Sequence, residues 1–374
     1  MKKSTHIKEV FFLFLKLGTV AFGGPAAHIS MMESEVVTKR KWMTREHFLD
    51  MVGATNLVPG PNSTQMTMHC GHVRAGWLGL WVAGLSFIFP AVVFTLILAM
   101  FYGKYGEVPG IAPIFYGIKP AVIGIIFTAT QKLGKKAFKN WQLIAIGILV
   151  TVLSLFGIDE FLLIVGSGII GMIWLNFGQK NSLKTFIAPI LLLVKPVGIN
   201  ISNTAIFTSF LKIAILLFGS GYVLIAYVDA ELVEKLGWLT KEQLLDAIAF
   251  GQFTPGPVLT TATFIGYQLN GISGALWASL GMFLPSFFLV GLLVKLIPIL
   301  RKSKLLSKFL DAVNAGAVGI MIAISLKLGY ELAFEWQSLL IMVVSILVAF
   351  RLKKVSSFYI IIGGAALGFL LSFL

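Results

Sequence analysis

Residues 56–65 read Asn-Leu-Val-Pro-Gly-Pro-Asn-Ser-Thr-Gln, and residues 252–261 read Gln-Phe-Thr-Pro-Gly-Pro-Val-Leu-Thr-Thr. The shared Pro-Gly-Pro stands at a spacing of 196 positions. Proline has no amide hydrogen and clashes with the preceding turn, so neither stretch continues a helix. Extended outward without a gap, residues 14–61 and 210–257 hold 17 identities in 48 positions. Several identities are polar, among them Lys16/Lys212, Glu35/Glu231, Thr44/Thr240, Glu46/Glu242 and Asp50/Asp246, and a shared apolar bias does not produce those. A one-residue deletion after Trp81/Trp277 shifts the spacing to 195, which then holds for Gly124/Gly319 and Lys132-Leu133-Gly134/Lys327-Leu328-Gly329. The chain is one unit written twice, within 1–177 and 203–374, joined by a linker at 178–202.

The unit belongs in a membrane. Hydrophobic residues make up 57% of the 374 and charged ones 12%, against about a quarter charged in soluble proteins. Mean hydropathy is +0.90. Apolar runs at 77–101, 110–131, 141–158 and 161–177 are matched by runs at 272–297, 309–328, 336–350 and 357–374, each near the length that crosses a bilayer. The net charge of +14 lies in short basic clusters between these runs, the layout of the positive-inside rule rather than of a nucleic-acid surface. Lys2, Lys3 and the apolar Ile7–Phe22 imitate a signal peptide but form part of the repeat, so no cleavage is expected. The single Cys70 excludes an internal disulfide. His69-Cys70-Gly71-His72 has the look of a soft-metal cluster, but its counterpart Ile265-Gly266-Tyr267-Gln268 keeps none of those ligands.

Loop charge gives the topology. Lys132, Lys135, Lys136 and Lys139 in the first copy stand opposite Glu331 and Glu335 in the second, and Asp159-Glu160 stands opposite Arg351, Lys353 and Lys354. Basic loops stay cytoplasmic, so the copies insert with opposite orientation, and the linker crosses once through Phe186–Val194. Inverted repeats are characteristic of secondary transporters with a midplane site. Two re-entrant hairpins open each copy, in the first at 7–38, turning at Gly23-Gly24-Pro25, and at 44–72, turning at Pro59-Gly60-Pro61; ordinary spans in the same places are the alternative. The expected fold is an all-α polytopic membrane protein of two inverted-topology repeats, each with two re-entrant or broken hairpins plus four transmembrane helices.

A break at membrane depth is tolerated where it lines a protein cavity. The helices that restart after the breaks carry unpaired amides and a positive dipole end, which favour an anion. Candidate substrate-binding residues are therefore Gly23, Gly24, Pro25, Asn56, Pro59, Gly60, Pro61, Asn62, Ser63 and Thr64, with Gly219, Ser220, Gly221, Gln252, Pro255, Gly256, Pro257 and Thr260 in the second copy. Lys16 and Lys212 lie inside apolar helices, where a cation is a functional candidate by default; one from each copy would match a divalent oxyanion, and snorkelling to the interface is the alternative. Lys119 is a secondary candidate, since Asn314 replaces it in the second copy. Most acidic residues here are expected to be solvated or ion-paired, and His28, Glu33, Glu35 and Glu231 are candidates for proton coupling. HExxH, Walker A and GxSxG motifs are absent, and no cofactor is expected.

With these residues in view, the sequence resembles the chromate ion transporter family in its two-domain form. The resemblance rests on Lys16, Phe22-Gly23-Gly24-Pro25, His28, Lys39-Arg40-Lys41-Trp42 and the intact Gln252-Phe253-Thr254-Pro255-Gly256-Pro257. Asn56-Leu57-Val58 and Ser220-Gly221 depart from the pattern, so the two half-sites are not chemically equal. The resemblance implies a multi-pass plasma-membrane protein, not an enzyme, that exports chromate, with related sulfate handling, on the proton motive force. Expected partners are a divalent oxyanion such as chromate, the lipid bilayer and, as an open expectation, a second copy in a homodimer. An anion channel and an intramembrane enzyme or flippase are the competing classes; the last lacks repeated carboxylates in the apolar spans. Topology is open to labelling of single cysteines, Arg40→Cys and Ser303→Cys in a Cys70→Ser background. The expected outcome is that neither reacts with an impermeant reagent added outside; reaction of residue 303 alone would overturn the inverted arrangement, and of residue 40 alone the hairpins.

Overall fold

The computed structural model describes residues 2–21, 24–55, 58–105, 112–175, 201–218, 221–300, 304–332, 335–352, 355 and 357–371. All regular structure among them is helical. The first copy contributes α1 (Lys2–Val20), α2 (Gly24–Met32, running into a π-helical segment Glu33–Lys39), α3 (Arg45–Thr55), α4 (Asn62–Tyr105), α5 (Ala112–Ala137), α6 (Trp141–Leu155) and α7 (Glu160–Trp174). The second contributes α8 (Asn203–Leu216), α9 (Leu224–Val228, entered from a 3-10 turn Gly221–Val223 and leaving through a π-helical segment Asp229–Lys235), α10 (Lys241–Phe253), α11 (Thr261–Leu300, preceded by a 3-10 turn Val258–Thr260), α12 (Lys304–Leu332), α13 (Trp336–Arg351) and α14 (Ser357–Leu371). The expected linker crossing at Phe186–Val194 lies outside the described residues. Among the described residues, Asn62–Tyr105, Val258–Leu292 and Ser307–Tyr330 are long and apolar enough to cross a membrane, and several shorter apolar helices accompany them. This is a polytopic membrane protein by composition and helix content.

α4 is two helices rather than one. Its backbone leaves helical geometry at Ala75 and Gly76, with φ +67 at Gly76, a conformation glycine enters without a Cβ penalty. A Cβ on Gly71 would stand 2.3 Å from the carbonyl oxygen of Gly79, although eight residues span about 12 Å along a straight helix. The chain therefore doubles back at this point. α11 repeats the device at Asn270 and Gly271, with Gly266 against the Gly274 carbonyl. The runs expected at 77–101 and 272–297 thus start directly after a reversal.

In the first copy, residues on either side of the two breaks return to one end. Glu9 on α1 accepts from Trp42 Nε1 at 3.3 Å and from Arg74 Nη2 at 2.7 Å, and Arg40 lies 3.6 Å away. Both excursions, 9 to 40 and 42 to 74, leave this charged end and come back to it.

The copies interlock. α1 packs on α4 and α8 on α11 within each copy, while α5 packs on α13 and α14, α12 on α6 and α7, and α4 on α11, so much of the packing exchanges partners between copies. Small residues make this possible, as is usual where helices meet without water to expel: Gly117 lies on Gly364 and Gly368, Gly124 on Ser345, and Gly319 on Gly147 and Val150. One hydrophobic core draws side chains from both copies, while Trp77, Leu78, Leu85, Phe89, Phe101, Ile148 and Phe288 face outward. Thr64, Gln65, Thr67, Thr95 and Thr263 face inward. Polar-in and apolar-out is the distribution a bilayer requires.

Gly71→Leu places a branched side chain against the Gly79 carbonyl and Ala83 Cβ and is expected to cost about 1–3 kcal/mol by overpacking. Gly363→Ala, with open space at its Cβ, is expected to be silent. Thermal unfolding of the two detergent-solubilised variants checks the contrast.

Candidate functional site

The breaks of both copies meet between them. The Gly60 amide donates to the Leu217 carbonyl at 2.7 Å, and the Gly256 amide donates to the Ala21 carbonyl at 2.9 Å. Gly256 is the repeat counterpart of Gly60, and Leu217 of Ala21, so each Pro-Gly-Pro loop binds the end of the first helix in the other copy. Both glycines have positive φ, +112 and +82. Each also lacks room for a side chain: a Cβ on Gly60 would stand 2.9 Å from Ser286 Oγ, and one on Gly256 would stand 2.8 Å from Ala91 Cβ. Ala91 and Ser286 are themselves counterparts.

This geometry corrects one detail of the expected anion cradle. The Gly60 and Gly256 amides are engaged in holding the copies together and do not face a substrate. Gly23, Asn56, Gly219 and Ser220 lie outside the described residues. Gly24 and Pro25 open α2, and Gly221 packs against Leu259. Gln65 Nε2 donates to the Pro59 carbonyl at 2.6 Å and fixes the first loop. Thr260 Oγ1 donates to the Pro257 carbonyl at 3.0 Å and lies 3.3 Å from Thr254 Oγ1. Pro61, Ser63, Pro255 and Pro257 are buried here, while Asn62 and Pro59 are half-buried.

Four buried groups at this junction stay unsatisfied. Thr64 Oγ1, Gln65 Oε1, Gln252 Nε2 and His28 Nδ1 have no hydrogen-bond partner among the described residues. Leaving a buried polar group unpaired costs about 1–3 kcal/mol, which a ligand or water at the junction would recover. His28 is buried with the others, its Nε2 3.0 Å from the Ala21 carbonyl that also receives Gly256, and its edge on the Phe87 ring. Its counterpart in the second copy is Leu224, so only one of the two reciprocal bonds is supported by a histidine.

The candidate cations occupy unequal settings. Lys16 is exposed on α1 and forms no ion pair among the described residues. Lys212 is half-buried and paired with Glu231, which Lys235 also approaches at 3.5 Å. In the first copy, Lys39 and Arg40 hold Glu35 instead, and Arg45 pairs with Glu33 at 2.9 Å. Lys119 lies 3.6 Å from Glu242 across the copies, close to Asp246, which accepts from Tyr102 at 2.6 Å. Glu35 and Glu231 both sit on seven-residue π-helical segments, an uncommon form that marks functional sites in other proteins.

Sequence reasoning missed one group. A cavity of ≈ 20 Å³, room for about one water, is lined by Asp159, Glu160, Lys212, Ile213, Leu216, Tyr227, Ala230 and Glu231. Asp159 caps α7 by accepting from the Leu162 amide at 3.2 Å, and this turns Glu160 inward against the second copy. Glu160 is 8% exposed and lies just before the apolar span of α7. Burial pushes its carboxyl up to about 7, helped by the negative charges of Glu234 and Asp159 and opposed by its own backbone amide and by Lys327. The sequence signal was present as an acidic pair at the mouth of an apolar run, but spacing alone does not say that the second copy walls it in.

The chromate transporter family model matches residues 8–172 and again 204–369. A probable chromate transport protein of Synechococcus elongatus is 29% identical over 364 residues, covering 93% of this chain and 91% of that protein. Chromate transport proteins of Cupriavidus metallidurans and Pseudomonas aeruginosa are 28% and 30% identical, covering 97% and 88% of this chain and 92% and 83% of their own lengths. No solved structure matches the chain.

The Glu160 environment makes stability depend on pH in a stated direction. Its folded-state value lies above the ordinary 4.5, so its contribution is full below that ordinary value and is lost as pH rises through about 7. The melting temperature of the wild type is expected to fall as pH rises from about 4.5 to about 7, and that of Glu160→Gln is expected to fall less over the same range. Parallel melting curves for the two proteins would contradict the assignment.

Proposed function

Because the chain belongs to the chromate transporter family, we propose that it is a secondary transporter that exports chromate across the plasma membrane, driven by the proton motive force, and thereby confers chromate resistance. Chromate transport across a membrane follows from the family; direction, energy source and resistance are the proposal. The observation that carries the site is the junction of the breaks, where buried Thr64 Oγ1 and Gln252 Nε2 lack partners among the described residues, beside the starts of α4 and α11. A hydroxyl, an amide donor and helix N-termini are suited to the oxygens of a tetrahedral dianion. Sulfate has the same shape and charge, so it is proposed as a second substrate.

Lys212 supplies the compensating charge in this reading. Glu231 and an incoming oxyanion compete for the same ammonium group. Protonation of Glu231 frees Lys212 from its partner, so the competition links anion binding to proton binding without any contact between the two. The reciprocal bonds at Gly60 and Gly256 support the inverted-repeat arrangement, because each relates the two copies by the same exchange. The return of residues 9, 40, 42 and 74 to one end supports re-entrant hairpins in the first copy.

Uptake into everted vesicles tests the reading with chromate, sulfate, molybdate and phosphate, each with and without an uncoupler. Chromate accumulation that collapses with the uncoupler is expected. Lys212→Ala is expected to lower it roughly 10- to 100-fold, the loss of one charge-assisted hydrogen bond, and Lys16→Ala to lower it less. Wild-type transport by both variants would sink the lysine site, and conductance insensitive to the proton gradient would make the protein a channel.

A further inference from the structure

Four carboxylates and three lysines gather where α7 of the first copy meets α8, the π-helical segment after α9, and α12 of the second. Two of the lysines, Lys212 and Lys235, are taken by Glu231, and the third, Lys327, by Glu234 at 2.9 Å. Asp159 is exposed to solvent and occupied as a helix cap. Glu160 is left buried without an ion pair among the described residues, inside the cavity that also holds the Lys212–Glu231 pair. With every carboxylate ionised the group carries one negative charge too many, and a single proton on Glu160 balances it. Burying an unpaired carboxylate beside two others is far costlier than burying the neutral acid.

The cavity offers a second feature that points to proton traffic. Tyr227 is 4% exposed, lines the same space, and its hydroxyl has no hydrogen-bond partner among the described residues. A phenolic hydroxyl both donates and accepts, so with one water it forms a short path between Glu160 and Glu231. The opposite half-site has no equivalent: Lys354 and Val355 stand where Asp159 and Glu160 would be repeated, and Met31 stands for Tyr227.

We propose that Glu160 is the proton-binding residue of the transporter, exchanging its proton with Glu231 through the water-sized cavity shared with Tyr227 and Lys212. The step moves one proton and nothing else: the Glu160 acid becomes a carboxylate, the Glu231 carboxylate becomes an acid, and Lys212 is released from its partner. The charges that act on Glu160 are Asp159 on its own helix cap and the Glu234–Lys327 pair, and Glu231, Lys212 and Tyr227 line the cavity with it. This inference rests on the proton-driven reading and names the residue through which the drive acts.

The test uses the full chain, purified and reconstituted in proteoliposomes with a trapped pH-sensitive dye, with radiolabelled chromate followed in parallel. The wild type is expected to move protons as chromate moves. Glu160→Gln is expected to carry out chromate exchange with no accompanying proton flux and with no dependence on pH over roughly 6–8, the range that brackets a group titrating near neutrality. Tyr227→Phe is expected to slow the proton flux more than the exchange. Proton flux in Glu160→Gln equal to that of a coupled wild type overturns the inference alone. A wild type that moves chromate with no proton flux overturns the proton-driven reading, and the inference falls with it. If Glu160→Gln is not recovered folded, Glu160→Asp decides: a displaced pH midpoint of proton flux supports the assignment, and an unchanged midpoint overturns it.

Discussion

A peptide amide that leaves helical hydrogen bonding inside a hydrocarbon layer must find another acceptor, because no water is there to take it. The Pro-Gly-Pro loops expose that problem twice, and the structure answers it the same way twice. Gly60 is satisfied by Leu217 and Gly256 by Ala21, each acceptor belonging to the other copy. Leu217 and Ala21 are themselves freed because the first helix of each copy ends there. Neither copy can therefore complete its own broken helices, and the interlocked packing of α5 with α13 and α14, and of α12 with α6 and α7, follows from a junction that both copies must share.

The symmetric frame carries asymmetric chemistry. Lys212 is paired with a carboxylate, and among the described residues Lys16 is not. His28 supports the Ala21 carbonyl, and Leu224 leaves Leu217 with the glycine alone. Ser286 faces Gly60 where Ala91 faces Gly256. Each substitution keeps backbone geometry and changes polarity, so gene duplication accounts for the shape and later divergence for the chemistry. The departures from the family motif at Asn56-Leu57-Val58 and Ser220-Gly221 belong to the same divergence.

Much of this was legible in the sequence because repetition and backbone restriction are local facts. Proline and glycine at a fixed spacing announced the breaks, and apolar runs announced most helices to within a few residues. The reversals at Gly76 and Gly271 were less visible, since a glycine between two apolar stretches reads equally well as part of one long helix. The engagement of the Gly60 and Gly256 amides could not be read at all: a free helix start and one bonded to a distant carbonyl have identical sequences. Lys16 and Lys212 looked equivalent by spacing, and only the position of Glu231 on its π-helical segment separates them. Glu160 escaped for the converse reason, because its burial is imposed by residues 212–231 and by nothing near 160.

The asymmetry bears on energetics. If the two copies were chemically identical and inserted in opposite senses, exchanging their conformations would turn the protein inside out at no cost in energy, and substrate would be bound equally well from either side. The gradients alone set the direction of net transport through such a frame, and unequal half-sites give its two orientations unequal energies and affinities. The Asp159, Glu160 and Tyr227 side of the Lys212–Glu231 pair is one such inequality, since Lys354, Val355 and Met31 stand at the repeated positions in the sequence. The carboxyl proposed as the proton site is therefore written into one copy and not into the other, so proton binding favours one of the two orientations.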